Sequence, residues 1–426
     1  MSGSGLNLED KMLIRGGKPL SGVIDVQGAK NAALPVMAAS ILLKGQSLTL
    51  ERVPNLHDIQ TMAEMLRYLG ASIEFQKNYM KIDVPEKLKW ETPADLVRKM
   101  RASSLVLGPL VARCSRAVLP LPGGCAIGSR PIDFHLKGLS KMGASIELEH
   151  GSVHATSQGR LKGTTIELDF PSVGATENLM MAAALADGVT YIENAAQEPE
   201  IVNLADVLRL LGVPIKGDGT PTIRITGQTS LHSAHGEIIP DRIEASTYLI
   251  AGIVSKGQVT VRGIDPEDLS ALLMKLEEAG ALIDIFNNEI TAKWNGNLKG
   301  VSLKTAPHPG FPTDTQPQFM AALCLASGTS VVNESVFDSR FLHIKEFKKM
   351  GAKIDVQDNV AVITGVPKLT AAEVHTSDLR AGAALIILGL AAEGETLVCD
   401  LHHVWRGYED LVEKMRSLGA DLELIP

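Results

Sequence analysis

A chain of 426 residues is longer than one hydrophobic core usually spans, so two domains are expected. Its apolar fraction of 45% and charged fraction of 21% are ordinary for a globular protein, and a net charge of −8 argues against nucleic acid or an acidic membrane as the main partner. The longest apolar stretch, Ala381 to Ala392, has 12 residues, too few to insert across a bilayer core of about 30 Å.

In chain order, Met1 to Asp10 lacks the basic-then-apolar order of a secretory signal, and its Ser-Gly-Ser-Gly run reads as flexible. Met12 to Val26 reads as strands that complete the sheets of the second half. A helix apolar on nearly every face follows over Ala32 to Leu43. Equivalents run over Ala102 to Val111, Leu179 to Ala186, Thr247 to Val254, Phe319 to Ala326 and Ala381 to Ala392. A helix with no polar face belongs in a core. Gly45, Gly188, Gly257, Gly328 and Gly394 close five of them and are expected to take positive φ as caps; the second ends instead in Arg113-Cys114-Ser115-Arg116. Each cap leads to a strand, such as Ser47 to Leu50, Thr190 to Glu193, Gln258 to Val261 or Thr396 to Cys399. An amphipathic helix comes next, as in Ile59 to Leu69, Leu269 to Ala279 and Leu411 to Leu418, and then two short strands.

That second helix ends each time on one signature: Leu-Gly-Ala-Ser-Ile at Leu69, Met-Gly-Ala-Ser-Ile at Met142, Leu-Gly-Val-Pro-Ile at Leu211, Ala-Gly-Ala-Leu-Ile at Ala279, Met-Gly-Ala-Lys-Ile at Met350 and Leu-Gly-Ala-Asp-Leu at Leu418. Its glycines, Gly70, Gly143, Gly212, Gly280, Gly351 and Gly419, are 73, 69, 68, 71 and 68 residues apart. A period held over the whole chain means one unit used six times. Three units on each side of a hinge near Glu237 to Asp241 give two similar domains: 29–238 with the cysteine loop, and 1–28 plus 239–426.

Several buried helices open on a cation or small polar residue: Lys30-Asn31, Arg101, Ser172-Val173-Gly174, Arg242, Thr313-Asp314 and Arg380. Free N–H groups and the positive dipole end make such starts anion sites, and Arg130, Arg340 and Arg406 add guanidiniums from loops. No Gly-x-x-x-x-Gly-Lys-Ser/Thr loop and no Gly-x-Gly-x-x-Gly is present. The four cysteines and 11 histidines show no ligand spacing, so a reduced, cytoplasmic protein without metal or cofactor is expected. Cys114, Cys324 and Cys399 read as structural. Cys125 differs: it lies in Pro122-Gly123-Gly124-Cys125-Ala126-Ile127-Gly128-Ser129-Arg130, a glycine-rich loop with a guanidinium five residues on, the setting of a reactive thiol.

With these stretches in view, the chain resembles the UDP-N-acetylglucosamine 1-carboxyvinyltransferases, members of the enolpyruvyl transferase family. The likeness is carried by Gly28 to Pro35, Leu121 to Gly128, Ser172 to Thr176, Phe311 to Asp314 and Arg406 to Glu409. It implies an α/β inside-out barrel: two domains of three βαβαββ repeats, helices inside and sheets outside, with the active site in the cleft between them. It implies transfer of the enolpyruvyl group of phosphoenolpyruvate to the 3′-hydroxyl of UDP-N-acetylglucosamine, releasing phosphate. Cys125 is then the proton donor to C3, the residue an epoxide phosphonate such as fosfomycin would alkylate, and Asp314 is the base. Lys30, Asn31, Arg130, Arg380 and Arg406 hold phosphoenolpyruvate. Asn31, Arg101, Arg130, Pro131, Ile132, Asp133, Phe134, Ser172, Val173, Gly174, Asp314 and Val336 hold the UDP-sugar, with Arg340 at the junction. Trp405 replaces an aspartate common in relatives, and Phe170 replaces a lysine that helps the diphosphate in some. The expected partners are the two substrates alone, with no nucleic acid and no membrane insertion, and the expected state is monomeric. Two rivals stand: a 5-enolpyruvylshikimate-3-phosphate synthase-like transferase, against which the cysteine loop speaks, and a silent UDP-sugar-binding paralogue.

Overall fold

The computed structural model describes residues 11–121 and 132–426. Contacts divide the described residues into two units, 27–121 with 132–240 in one and 11–26 with 241–426 in the other.

In the first unit the buried helices Lys30–Ala39, Leu107–Cys114 and Val173–Ala184 form the core, and nearly all of their residues are buried. Each carries an apolar side chain in almost every direction, so only an interior position removes them all from water. Amphipathic helices His57–Leu69, Asp133–Lys141 and Pro199–Leu210 pack one face inward. Two sheets have four strands, ordered Ala234–Glu237, Gln46–Glu51, Tyr79–Val84, Ser72–Gln76 and Ile215–Lys216, Thr222–Thr226, Val189–Glu193, Thr165–Glu167. The strands alternate buried and open positions, as sheets with one face on a core must. The middle repeat has three strands, its fourth reduced to a single bridge from Glu91 to Val118.

The second unit repeats the plan around Arg242–Val254, Gln316–Leu323 and Leu379–Ala391. Its N-terminal strands enter as expected. Lys11–Arg15 lies between Glu395–Cys399 and Asp421–Ile425, and Ser21–Asp25 runs parallel to Gln258–Arg262. All six signature glycines have positive φ, from 92° to 120°.

Two expectations need correction. The second buried helix opens as a 3₁₀ segment, Arg101–Val106, and is α-helical only over Leu107–Cys114. Ser103 and Ser104 donate their hydroxyls three residues back, to the carbonyls of Met100 and Arg101, which favours the tighter winding. Pro109 lacks an N–H and suits only a first α-turn. The expected glycine caps lie beyond the true C-caps (Leu43, Leu185, Ser255, Cys324, Ala392), in the turn into the next strand. At Gly257 the positive φ belongs to Lys256, at 61°, and Gly257 serves close approach instead: a Cβ there would lie 2.0 Å from the Leu20 carbonyl oxygen. Ser115, with φ of 56°, provides the left-handed turn of the deviant second repeat.

Candidate active site

Lys30 is the first residue of its helix and only 9% exposed. The segment before it is pressed flat against the chain. The Ala29 amide donates to the Ile239 carbonyl at 2.7 Å, and a Cβ on Gly28 would stand 1.7 Å from the Arg52 carbonyl oxygen. The ammonium lies 3.3 Å from the carboxylate of Asp58, itself buried in the first turn of His57–Leu69. That pairing was not expected from the sequence, although Asp58 stands one turn before Met62, at the head of the apolar stripe Ile59, Met62, Leu66 and Leu69. Asn31 and Arg101 are half-buried at their helix starts.

In the same unit the expected UDP-sugar segments meet across a residue missed by sequence reasoning. His135 is buried in the helix whose start carries Ile132, Asp133 and Phe134; Ile132 is buried, Asp133 exposed and Phe134 half-buried. The Asn178 side-chain amide donates to the Ser104 carbonyl and to His135 Nδ1, both at 2.7 Å, while its oxygen accepts from the Gly108 amide. Nδ1 therefore accepts, and the ring proton sits on Nε2. Burial, helped by the Arg101 charge, pulls His135 down to about 4, so the ring is neutral. Its Cε1–Nε2 edge faces Gly174, where a Cβ would lie 3.6 Å from both atoms. A neutral ring thus supports the Ser172-Val173-Gly174 start, which Ser172 caps by accepting from the Ala175 amide. The polar trio Thr176-Glu177-Asn178, set directly before the apolar run Leu179 to Ala184 in a helix expected to be buried, was the available signal for Asn178.

The second unit holds a denser ionic cluster. Asp314 Oδ1 accepts from Arg340 Nη2 at 3.0 Å, and Oδ2 accepts from Arg380 Nε at 3.2 Å and Nη2 at 2.9 Å. Arg340 and Arg380 are 2% and 4% exposed. Burial pulls the Arg380 guanidinium down, but Asp314, Tyr408 and Asp241 outweigh it and hold the group above its ordinary range. Asp378 caps this helix start by accepting from the Arg380 and Ala381 amides. Behind the cluster, the Tyr408 hydroxyl lies 2.8 Å from Thr247 Oγ1, and the Gln318 amide donates to both at 3.3 Å.

Glu334, 1% exposed and also missed, fixes the loop that carries Val336. Its Oε1 accepts from the Val336 amide at 2.9 Å and the Thr305 hydroxyl at 2.8 Å, while Oε2 accepts from Thr313 Oγ1 at 3.0 Å. One carboxylate thereby ties Val336 to the Phe311 to Asp314 segment. Arg406 is half-buried at the end of the 3₁₀ segment Leu401–Arg406. Trp405 is buried, and its indole N–H has no hydrogen-bond partner among the described residues. Phe170 is exposed. Cys125, Arg130 and Pro131 lie outside the described residues.

Comparison with known proteins decides between families. The family model for EPSP synthase (3-phosphoshikimate 1-carboxyvinyltransferase) matches residues 14–415. The chain belongs to this enolpyruvyl transferase family. It is 52% identical, over 98% of its length and 99% of the relative's, to UDP-N-acetylglucosamine 1-carboxyvinyltransferase 2 of Carboxydothermus hydrogenoformans. It is 50% identical, with the same coverage, to UDP-N-acetylglucosamine 1-carboxyvinyltransferase 1 of Staphylococcus aureus. Among solved structures it is similar to the enolpyruvyl transferase NikO of Streptomyces tendae, with a TM-score of 0.88, 28% identity, and coverage of 98% of this chain and 100% of that one. No helix among the described residues is long and apolar enough to cross a membrane.

Proposed function

We propose that this enzyme transfers the enolpyruvyl group of phosphoenolpyruvate to the 3′-hydroxyl of UDP-N-acetylglucosamine, releasing phosphate and opening peptidoglycan precursor synthesis in the cytoplasm. The observation that carries the reading is end-to-end identity of about half to two proteins named for that reaction. The site's composition fits it. Phosphoenolpyruvate brings a phosphate and a carboxylate on three carbons, and fixed cations are the groups that recognise such a pair.

The sugar oxygen bonds to C2 while C3 takes a proton and becomes a methyl group. The adduct then loses phosphate by cleavage of its C2–O bond, and a proton leaves the methyl carbon to restore the double bond. We assign removal of the hydroxyl proton to Asp314 and protonation of C3 to Cys125. A thiol with an ordinary pKa of about 8.5 is mostly protonated near neutrality and can act as an acid. Lys30, Arg130 and Arg406 hold the phosphoenolpyruvate anion. Arg340 and Arg380 fix the Asp314 carboxylate, so its direction is set before substrate arrives. Asn31, Arg101, Ser172 to Gly174 and Val336 hold the UDP-sugar, with His135 and Glu334 as positioning residues.

The test is phosphate release from phosphoenolpyruvate with UDP-N-acetylglucosamine present, absent, or replaced by shikimate 3-phosphate. Release is expected with the UDP-sugar alone. Release that ignores the UDP-sugar, or that needs shikimate 3-phosphate, removes the assignment.

A further inference from the structure

The second unit carries a group of metal-type donors to which none of the expected site residues belongs. Strand Glu373–His375 pairs in parallel with Glu395–Cys399, with Val374 opposite Val398 and His375 opposite Cys399. Val374 and Val398 are fully buried, so the two-residue period of a strand sends Glu373, His375 and Cys399 to the other face together. There His375 Nε2 lies 3.7 Å from Glu373 Oε1, and Cys399 Sγ lies 3.9 Å from the same oxygen. All three donor atoms fall within 4.8 Å of one another, the one such trio among the described residues.

We propose that Glu373, His375 and Cys399 form a binding site for a divalent metal of the zinc class. Zinc bonds of roughly 2.0–2.3 Å at tetrahedral angles put neighbouring donors about 3.3–3.8 Å apart, so the side chains need to close by only tenths of an ångström to about 1 Å. A second observation points the same way. His375 Nδ1 lies 2.8 Å from Asp400 Oδ2, and a carboxylate can only accept. Nδ1 therefore carries a proton, and Nε2 is the ring atom turned toward Glu373, the nitrogen that would face the ion. A carboxylate behind a histidine is the support that zinc-ligating imidazoles usually have.

The donor set selects the ion. One thiolate, one imidazole and one carboxylate suit zinc or cobalt(II), whereas magnesium and calcium demand oxygen. Burial first, and then the Glu373 charge, keeps the Cys399 proton on; Lys11 acts the other way. A bound cation would displace that proton, leaving the metal–sulfur bond in its place. Cys399 is 3% exposed, but the Glu373 and His375 side chains are 58% and 49% exposed, so the ion has a direct path from solvent and a fourth position open to water.

Bound metal would clasp the edge strand Glu373–His375 to its neighbour. It would also stiffen the root of the Arg406 segment, because Asp400 turns the chain at φ 62° into Leu401–Arg406 and accepts from Thr376 Oγ1 through its carbonyl at 2.6 Å. The proposal does not rest on the transferase reading.

Cobalt(II) is the probe. Titrated into the reduced full-length chain, in a Cys125→Ser background that removes the loop thiol, it should produce a near-ultraviolet thiolate charge-transfer band and intense visible bands of a four-coordinate ion. Zinc should displace both, and zinc should raise the Tm. Cys399→Ser and the exposed-site variant His375→Gln should abolish the charge-transfer band while circular dichroism shows the fold retained. Asp400→Asn should weaken cobalt binding by about 10–100-fold. Absence of a thiolate band in the parent, or its survival in His375→Gln or Cys399→Ser, overturns the site.

Discussion

Two helix starts, Asp314 in one unit and Ser172 in the other, are supported in opposite electrical ways. In residues 241–426 one carboxylate, Asp314, is gripped by two guanidiniums that are 2% and 4% exposed. In residues 27–240 the corresponding support at the Ser172 helix start is neutral, built from Asn178, a backbone amide and an uncharged His135. Charged pairs fix direction strongly but leave costly orphans when one member is removed. Neutral networks fix shape and depend little on salt. Under the proposed function the difference matches two tasks: orienting a reactive carboxylate on one side, and shaping a bed for a nucleotide sugar on the other.

The largest expected effect comes from the ionic side. Asp314→Ala should lower turnover by about 10²–10⁴-fold as the base is lost. It should also destabilise the fold by about 3–5 kcal/mol, because two buried guanidiniums lose their partner. Asp314→Asn, which keeps the shape, should still be destabilised in urea titrations. An Asn variant as stable as the parent would break the contrast.

Next comes acid. His135 titrates near 4 in the fold and near 6.5 when unfolded, so between these values the unfolded chain binds more protons. Its stabilisation is complete above pH 6.5 and is lost as pH falls toward 4, a loss on the order of 3 kcal/mol over the window. His343, also buried and pulled down, acts in the same direction. His135→Gln should flatten the pH dependence of the urea midpoint, and an unchanged slope would remove His135 from the account.

Asn178→Ala should cost about 1–3 kcal/mol, since the Gly108 amide and Ser104 carbonyl lose their partner. It should raise the KM for the UDP-sugar more than it lowers kcat, with little sensitivity to salt. The smallest effect is Lys256→Gly. Relief of a left-handed φ of 61° is set against greater freedom in the unfolded chain, so a gain of up to about 1 kcal/mol is expected in the same titrations.

The repeat made the architecture legible. Glycines at a period near 70 mark turns that only a few residues tolerate, and helices without a polar face have only an interior to occupy. Lys30, Asp314, Arg340 and Arg380 were legible as charges at helix starts and loops; that Asp314 takes both guanidiniums was not, because sequence gives no distances. Asp58, His135, Asn178 and Glu334 escaped for a related reason. Each acts through a partner 28 to 74 residues away, from Asp58 on Lys30 and Glu334 on Thr305 to Asn178 on Gly108 and Ser104. Spacing exposed neither these nor the trio Glu373, His375 and Cys399, which a strand register brings together from positions with no ligand motif.

The most direct measurement runs the transfer in D₂O and weighs the vinyl product. If the sugar oxygen adds at C2 while C3 becomes a methyl group, that carbon acquires solvent deuterium, and some of it survives when a hydrogen leaves to restore the double bond. The account predicts deuterium at C3 of the enolpyruvyl group in UDP-N-acetylglucosamine enolpyruvate. Product formed in D₂O with no deuterium at that carbon would contradict it.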